Sequence, residues 1–132
     1  MDYVSTRIIT DDIKRLVRFY EEITGLSPTW RTEDFAELAT PSCTLAIGSK
    51  RTMIMFGAGA ARAADNHSAI IEFRVDDVDK EYAKLEKLVS DFVQPPTTQP
   101  WGNRSLLFRD PDGNLINFFT PVSAEAIRKY QS

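Results

Sequence analysis

Thr10-Asp11-Asp12-Ile13 and Val75-Asp76-Asp77-Val78 are two versions of one tetrad, and the step from Asp11 to Asp76 is 65 residues in a chain of 132. Each tetrad follows a short apolar run and precedes a helix-like pattern. The run before the first is 4–9, VSTRII. The run before the second is 69–75, AIIEFRV, in which Ile71, Phe73 and Val75 alternate with Ile70, Glu72 and Arg74. A period of two marks a strand whose two faces meet different surroundings. The chain therefore reads as an internal duplication.

Working outward, Ile13, Leu16, Val17, Tyr20 and Ile23 form one apolar stripe, which predicts a helix over 13–24. Asp11 or Asp12 caps its start, and Gly25 stands where a left-handed closing residue belongs. Val78, Tyr82, Leu85, Leu88 and Val89 predict a second helix over 79–90, capped by Asp76 or Asp77. The charges between them, Lys80, Glu81, Lys84, Glu86 and Lys87, read as a solvated surface. Strands are expected at 29–32, 35–39 and 44–48, then at 92–93, 104–109 and 115–120. Asp110-Pro111-Asp112-Gly113 is a strong hairpin turn, because proline presets one turn residue and glycine accepts positive φ.

Both halves thus spell β-α-β-β-β. The fold class is α+β, with tandem modules forming a curved eight-stranded mixed sheet around a concave cleft, the natural place for a ligand. The whole of 1–132 is read as a single domain. Module one covers about 4–48, a linker rich in Ala and Gly about 49–67, module two about 68–121, and a short C-terminal helix about 123–130.

The composition narrows the class. Hydrophobic residues at 42% and charged residues at 27% exclude a disordered chain. The longest near-apolar run, 53–61, is broken by Gly57 and Gly59, far short of the roughly 20 apolar residues of a membrane span. No charged-then-apolar leader opens the sequence, and the lone Cys43 has no intrachain disulfide partner, so a cytoplasmic location is expected. A net charge of −3 gives no basic face for nucleic acid.

Cys43 follows a turn with no base beside it, and it reads as a small filler rather than a nucleophile. His67, the single histidine, lies in a loop-like stretch and reads as a loop or capping residue. Gly57-Ala58-Gly59 lacks the Lys-Ser/Thr and the strand–helix context of a phosphate loop.

Asp12-Ile13, Phe19-Tyr20 and Thr24-Gly25-Leu26, the Val75–Val78 tetrad, and Gln99-Pro100-Trp101-Gly102-Asn103-Arg104 before Asp110-Pro111-Asp112-Gly113-Asn114 together resemble the vicinal oxygen chelate superfamily. That superfamily includes glyoxalase I, extradiol dioxygenases, and fosfomycin- and bleomycin-resistance proteins. The Gln-Pro-Trp-Gly-x-Arg block is similar to the bleomycin-resistance type.

The resemblance implies a divalent metal held by four side chains in the superfamily's enzymes, near the first and last strand of each module. Those positions fall here on Ser5, Ile70, Asn117 and, less firmly, Ala46 or Ile47. They make a poor ligand set, so no metal and no cofactor are expected. The resemblance further implies a homodimer.

Alternation from Ser5, Ile70 and Asn117 carries Arg7, Ile9, Glu72, Arg74, Leu115 and Phe119 to the cleft and leaves Ile8, Phe73, Ile116 and Phe118 to the helices. Glu72 and Arg74 read either as an ion pair on a wet face or as groups that orient a polar ligand. Arg104 is expected to pair with Glu37 or Glu72, or to bind a ligand anion. Trp30, Phe35, Phe56, Phe92 and Trp101 are candidate aromatic walls, and 95–98 is a candidate rim loop.

The expected ligand-binding set is thus Trp30, Phe35, Glu37, Glu72, Arg74, Trp101, Arg104 and Asn117, with no catalytic residue. The expected function is metal-independent binding of a small aromatic or amphipathic molecule. Its rivals are a glyoxalase- or dioxygenase-like enzyme with a displaced metal site, a carboxylate enzyme using Glu72 or Glu37 as base, and an interaction subunit whose cleft is filled by its own side chains.

Overall fold

A computed structural model describes residues 1–131. Its elements are β1 (Ser5–Thr10), α1 (Ile13–Thr24), β2 (Thr29–Thr32), β3 (Phe35–Ala39), β4 (Thr44–Ser49), a 3-10 helix (Lys50–Ile54), β5 (Ile70–Arg74), α2 (Val78–Leu85), β6 (Phe92–Thr98), β7 (Asn103–Arg109), β8 (Leu115–Pro121) and α3 (Ala124–Lys129). The chain divides into two compact units, Met1–Asn66 and His67–Ser132.

Each unit holds one four-stranded mixed sheet, ordered β1-β4-β3-β2 in the first and β5-β8-β7-β6 in the second. The eight expected strands are present, divided between these two sheets. β1 runs parallel to β4 and β5 parallel to β8, while the remaining neighbours are antiparallel. The register is repeated as well. Ser5 faces Thr44 and Arg7 faces Ala46, as Ile70 faces Leu115 and Glu72 faces Asn117.

The second aspartate of each pair starts a helix. Asp12 accepts a hydrogen bond from the Arg15 amide at 3.2 Å, and Asp77 accepts from the Asp79 and Lys80 amides at 3.1 and 3.2 Å. Gly25 closes α1 at φ 72°, its amide donating to the Glu21 carbonyl.

α1 then presses Ile13, Leu16, Val17, Tyr20 and Ile23 against Ile8, Ala36, Leu38 and Ile47, all buried. In the second unit Val78 and Leu85 of α2 lie in the core with Leu106, Phe108, Ile116 and Phe118. A chain of aromatic contacts crosses that unit: Tyr82 meets Phe92 at 5.2 Å, Phe108 meets Phe118 at 5.1 Å, and Phe118 meets Phe73 at 5.6 Å.

Two expectations are corrected. The second helix ends at Leu85, well before residue 90. The Leu88 and Val89 amides both donate to the Leu85 carbonyl, a tight turn that still buries Val89. Residues 95–98 form no rim loop. They complete β6, an edge strand with two register shifts, where prolines are tolerated because one side needs no amide donors.

Gly102 has φ 95°, and its carbonyl accepts from the Val122 and Ser123 amides at 2.9 and 3.1 Å. A β-carbon there would stand 2.0 Å from Ser123 Oγ. Gly102→Ala is expected to cost roughly 1–3 kcal/mol through backbone strain, with added cost from the clash, and to lower the melting temperature by several degrees in thermal denaturation.

Candidate functional site

The helices cover one face of each sheet, so chemistry not spent on the core lies on the opposite, open face. In the first unit Arg7, Ala46 and Glu37 form one cross-strand row, and Gly48 and Phe35 lie in the next. The Arg7 guanidinium sits 4.4 Å from the centre of the Phe35 ring and 5.4 Å from that of Phe56. Phe56 comes from the segment after the 3-10 helix and folds over the open face to reach Arg7. Glu37 is half-buried and paired with Arg31 Nε at 2.5 Å. Trp30 pairs across the strands with Ala36 rather than Glu37, so the register sets it apart from the Glu37 row, and it is exposed on the short edge strand.

In the second unit Glu72, Asn117 and Leu107 form the equivalent row, and Arg74, Phe119 and Ser105 the next. Asn117 Nδ2 donates to Glu72 Oε2 at 2.8 Å. Asn117 is buried, and its Oδ1 has no hydrogen-bond partner. Such an orphan acceptor is costly in a protein interior, and the described residues hold two others, Asn103 Oδ1 and Asp112 Oδ2. Ile70, at the head of β5, is about half exposed.

Arg74 and Glu72 do not pair with each other. Arg74 Nη1 donates to the Tyr130 carbonyl at 3.0 Å. The Tyr130 ring lies 5.4 Å from Phe119 and 5.5 Å from the Arg74 guanidinium. Tyr130 thus covers this end of the sheet's face.

Arg104 is a correction. It contacts neither Glu37 nor Glu72. Its guanidinium donates twice to Asp79 on α2, at 2.9 and 3.0 Å. Arg104, Leu106 and Phe108 alternate along β7, so the arginine shares the helix-covered side with two buried residues. Trp101 is exposed in the turn before β7. His67 is exposed, and Cys43 Sγ reaches only backbone carbonyls.

The structure therefore brings together Glu72 with Asn117, Arg74 with Phe119, and Phe35 with Arg7. It leaves Trp30, Trp101 and Arg104 outside those groups. Tyr130 was missed by sequence reasoning. It follows a short helix whose pattern says nothing of which surface it meets.

Of the two candidates for the fourth metal-equivalent position, the register matches Ala46 with Asn117, since Arg7 faces Ala46 as Glu72 faces Asn117. The positions then carry a hydroxyl, a methyl, a sec-butyl group and an amide. Two are hydrocarbon, so the donor set does not fit a catalytic divalent metal, which needs His or carboxylate ligands. Among the described residues no cluster of three His, Cys, Asp or Glu could hold one elsewhere.

The model of the Glyoxalase/Bleomycin resistance protein/Dioxygenase superfamily matches residues 2–118. The chain is 29% identical to the uncharacterized protein YraH of Bacillus subtilis (strain 168), over 90% of this chain and 98% of that one. It is 31% identical to the uncharacterized protein YwbC of the same organism, over 86% and 93%. A glyoxalase/bleomycin resistance protein/dioxygenase family enzyme from Burkholderia phytofirmans PsJN superposes with a TM-score of 0.83 over 92% of this chain and all of that one, at 17% identity, a likeness of fold.

Two ion pairs at the surface make a pH prediction. The Arg104 guanidinium holds the Asp79 carboxyl below its usual value of 3.8, and Arg51 and Ser49 do the same for Asp34. Lowered carboxyls bind fewer protons folded than unfolded. The stability they add is present above 3.8 and is lost as pH falls through the lowered values. In urea unfolding, Asp79→Asn is expected to lose less stability than the parent protein between about pH 5 and pH 3.

Proposed function

The chain belongs to the glyoxalase/bleomycin resistance protein/dioxygenase superfamily, and from that premise we propose that it is a metal-independent binding protein for a small aromatic or amphipathic molecule. One observation carries the reading. The positions that would hold the superfamily's metal include two aliphatic side chains, Ala46 and Ile70, while the open faces around them hold uncommitted binding chemistry. That chemistry is a cation over aromatic rings at Arg7, and a carboxylate–amide pair with a spare buried acceptor at Glu72 and Asn117.

Aromatic and apolar surface supplies area, and a few polar groups set orientation, which is the usual make-up of a ligand site. Binding alone sequesters a drug or metabolite and requires no catalytic residue. The proposal includes a cytoplasmic homodimer. Light scattering should then return twice the 14.9 kDa chain mass, and a monomer would remove that part.

A carboxylate-based enzyme is the second reading. Glu72 is its better base, since Asn117 holds it in place while Glu37 is committed to Arg31. Its exposure counts against it, because a base is commonly tuned by burial.

Dialysis against Zn, Ni, Mn or Fe, followed by measurement of bound metal, is expected to leave far less than one ion per chain. One tightly held ion per chain, lost in Asn117→Ala, would overturn the metal-independent reading. A thermal-shift screen of aromatic drugs and metabolites is expected to find compounds that raise the melting temperature by several degrees at about a hundredfold excess over Kd. A screen without such a compound would favour an interaction subunit.

A further inference from the structure

We propose that the Arg74–Phe119 end of the second sheet's open face is a subsite for aromatic carboxylates, and that Tyr130 of the same chain is its built-in competitor. The inference rests on the reading of the open faces as ligand surfaces and names a ligand class for one of them.

Arg74 is exposed and makes no ion pair with any carboxylate among the described residues. The nearest carboxylate along its own strand, Glu72, is held by Asn117. What Arg74 holds is the backbone carbonyl of Tyr130 at 3.0 Å, a neutral acceptor for a charged donor. A carboxylate in the same place would make charge-assisted bonds and match the fork of the guanidinium.

The phenol ring sits beside Phe119 and the guanidinium, at 5.4 and 5.5 Å. A ring and an acceptor oxygen joined through two carbons therefore already occupy this end of the face. A 3-phenylpropanoate presents the same two groups at the same separation and adds the negative charge that Arg74 lacks.

The competitor is lightly held. α3 is six residues long. It is pinned at its start, where Val122 and Ser123 donate to Gly102, and Ser123 caps it through the Ala126 amide. Gln131, which follows it, is exposed. Swinging Tyr130 away opens the last turn and leaves the Gly102 anchor intact.

The test titrates 3-(4-hydroxyphenyl)propanoate into the full chain, into Tyr130→Ala, into a chain ending at Lys129, and into Tyr130→Ala combined with Arg74→Gln, by isothermal calorimetry. Circular dichroism and melting temperature confirm folding of each. The shortened chain, which lacks both ring and carbonyl, is expected to bind about tenfold or more tightly than the full chain. Tyr130→Ala, which frees the ring's place and keeps the carbonyl, is expected to bind several-fold more tightly, and Arg74→Gln is expected to remove the gain. Equal or weaker binding by Tyr130→Ala and the shortened chain would overturn the proposal, as would a gain that survives Arg74→Gln. A neutral aromatic compound that stabilises the full chain while Tyr130→Ala changes nothing would overturn this subsite and leave the broader binding reading standing.

Discussion

In each half of the chain, one carboxylate at a helix start sets the direction of everything after it. Asp12 and Asp77 satisfy amides that would otherwise point at nothing, and such caps contribute roughly 0.5–2 kcal/mol each. In the second unit the turn is reinforced. Thr120 Oγ1 accepts from the Val78 amide at 3.0 Å and donates to the Val75 carbonyl at 2.9 Å, tying the last strand to the start of the helix. With the helix folded back on its own sheet, one face becomes core. Every second residue of β1, β4, β5 and β8 is then left for other work.

This explains why the skeleton was legible and parts of the site were not. The Asp-Asp tetrads and the helical stripes are local signals, and α1 has the bounds its stripe predicts. The stripe of α2 misled at its end, because Val89 stays buried through a turn as it would through a helix. Pro95 and Pro96 suggested a loop because proline is a poor central-strand residue, yet an edge strand has a side that needs no donors.

Arg104 was misplaced although alternation was enough to place it, since it stands two residues before Leu106, which is fully buried. The same alternation did place Glu72, Asn117 and Phe119, with Arg7 and Arg74 beside them. Phe56 was among the aromatic candidates, but its place over Arg7 was beyond such reasoning, as was Tyr130 altogether. Each lies after its module, where no period relates the segment to the sheet it meets.

The two halves share wiring and differ in chemistry. Arg7 and Ala46 occupy the register positions of Glu72 and Asn117. Thus a cation beside a methyl group in one unit corresponds to a carboxylate beside an amide in the other. Both units use the segment after the module in the same way, to bring an aromatic ring onto an arginine of the open face. The duplicated frame has been kept for packing while its open positions diverged.

The proline pair in β6 has a consequence for life at high concentration. A sheet edge is a template on which a further strand, from any chain, can add by backbone pairing. Successive amides point to opposite sides of a strand, so one of Pro95 and Pro96 withholds a donor from that free edge and the other from the β7 side, within the register shift between Gln94 and Thr97. In the first unit's sheet the short edge strand β2 carries Arg31 among four exposed residues. Of the four edge strands, β2 and β6 are thus poor nuclei for cross-β growth, which lowers the number of templates a crowded solution of this protein offers to fibrils.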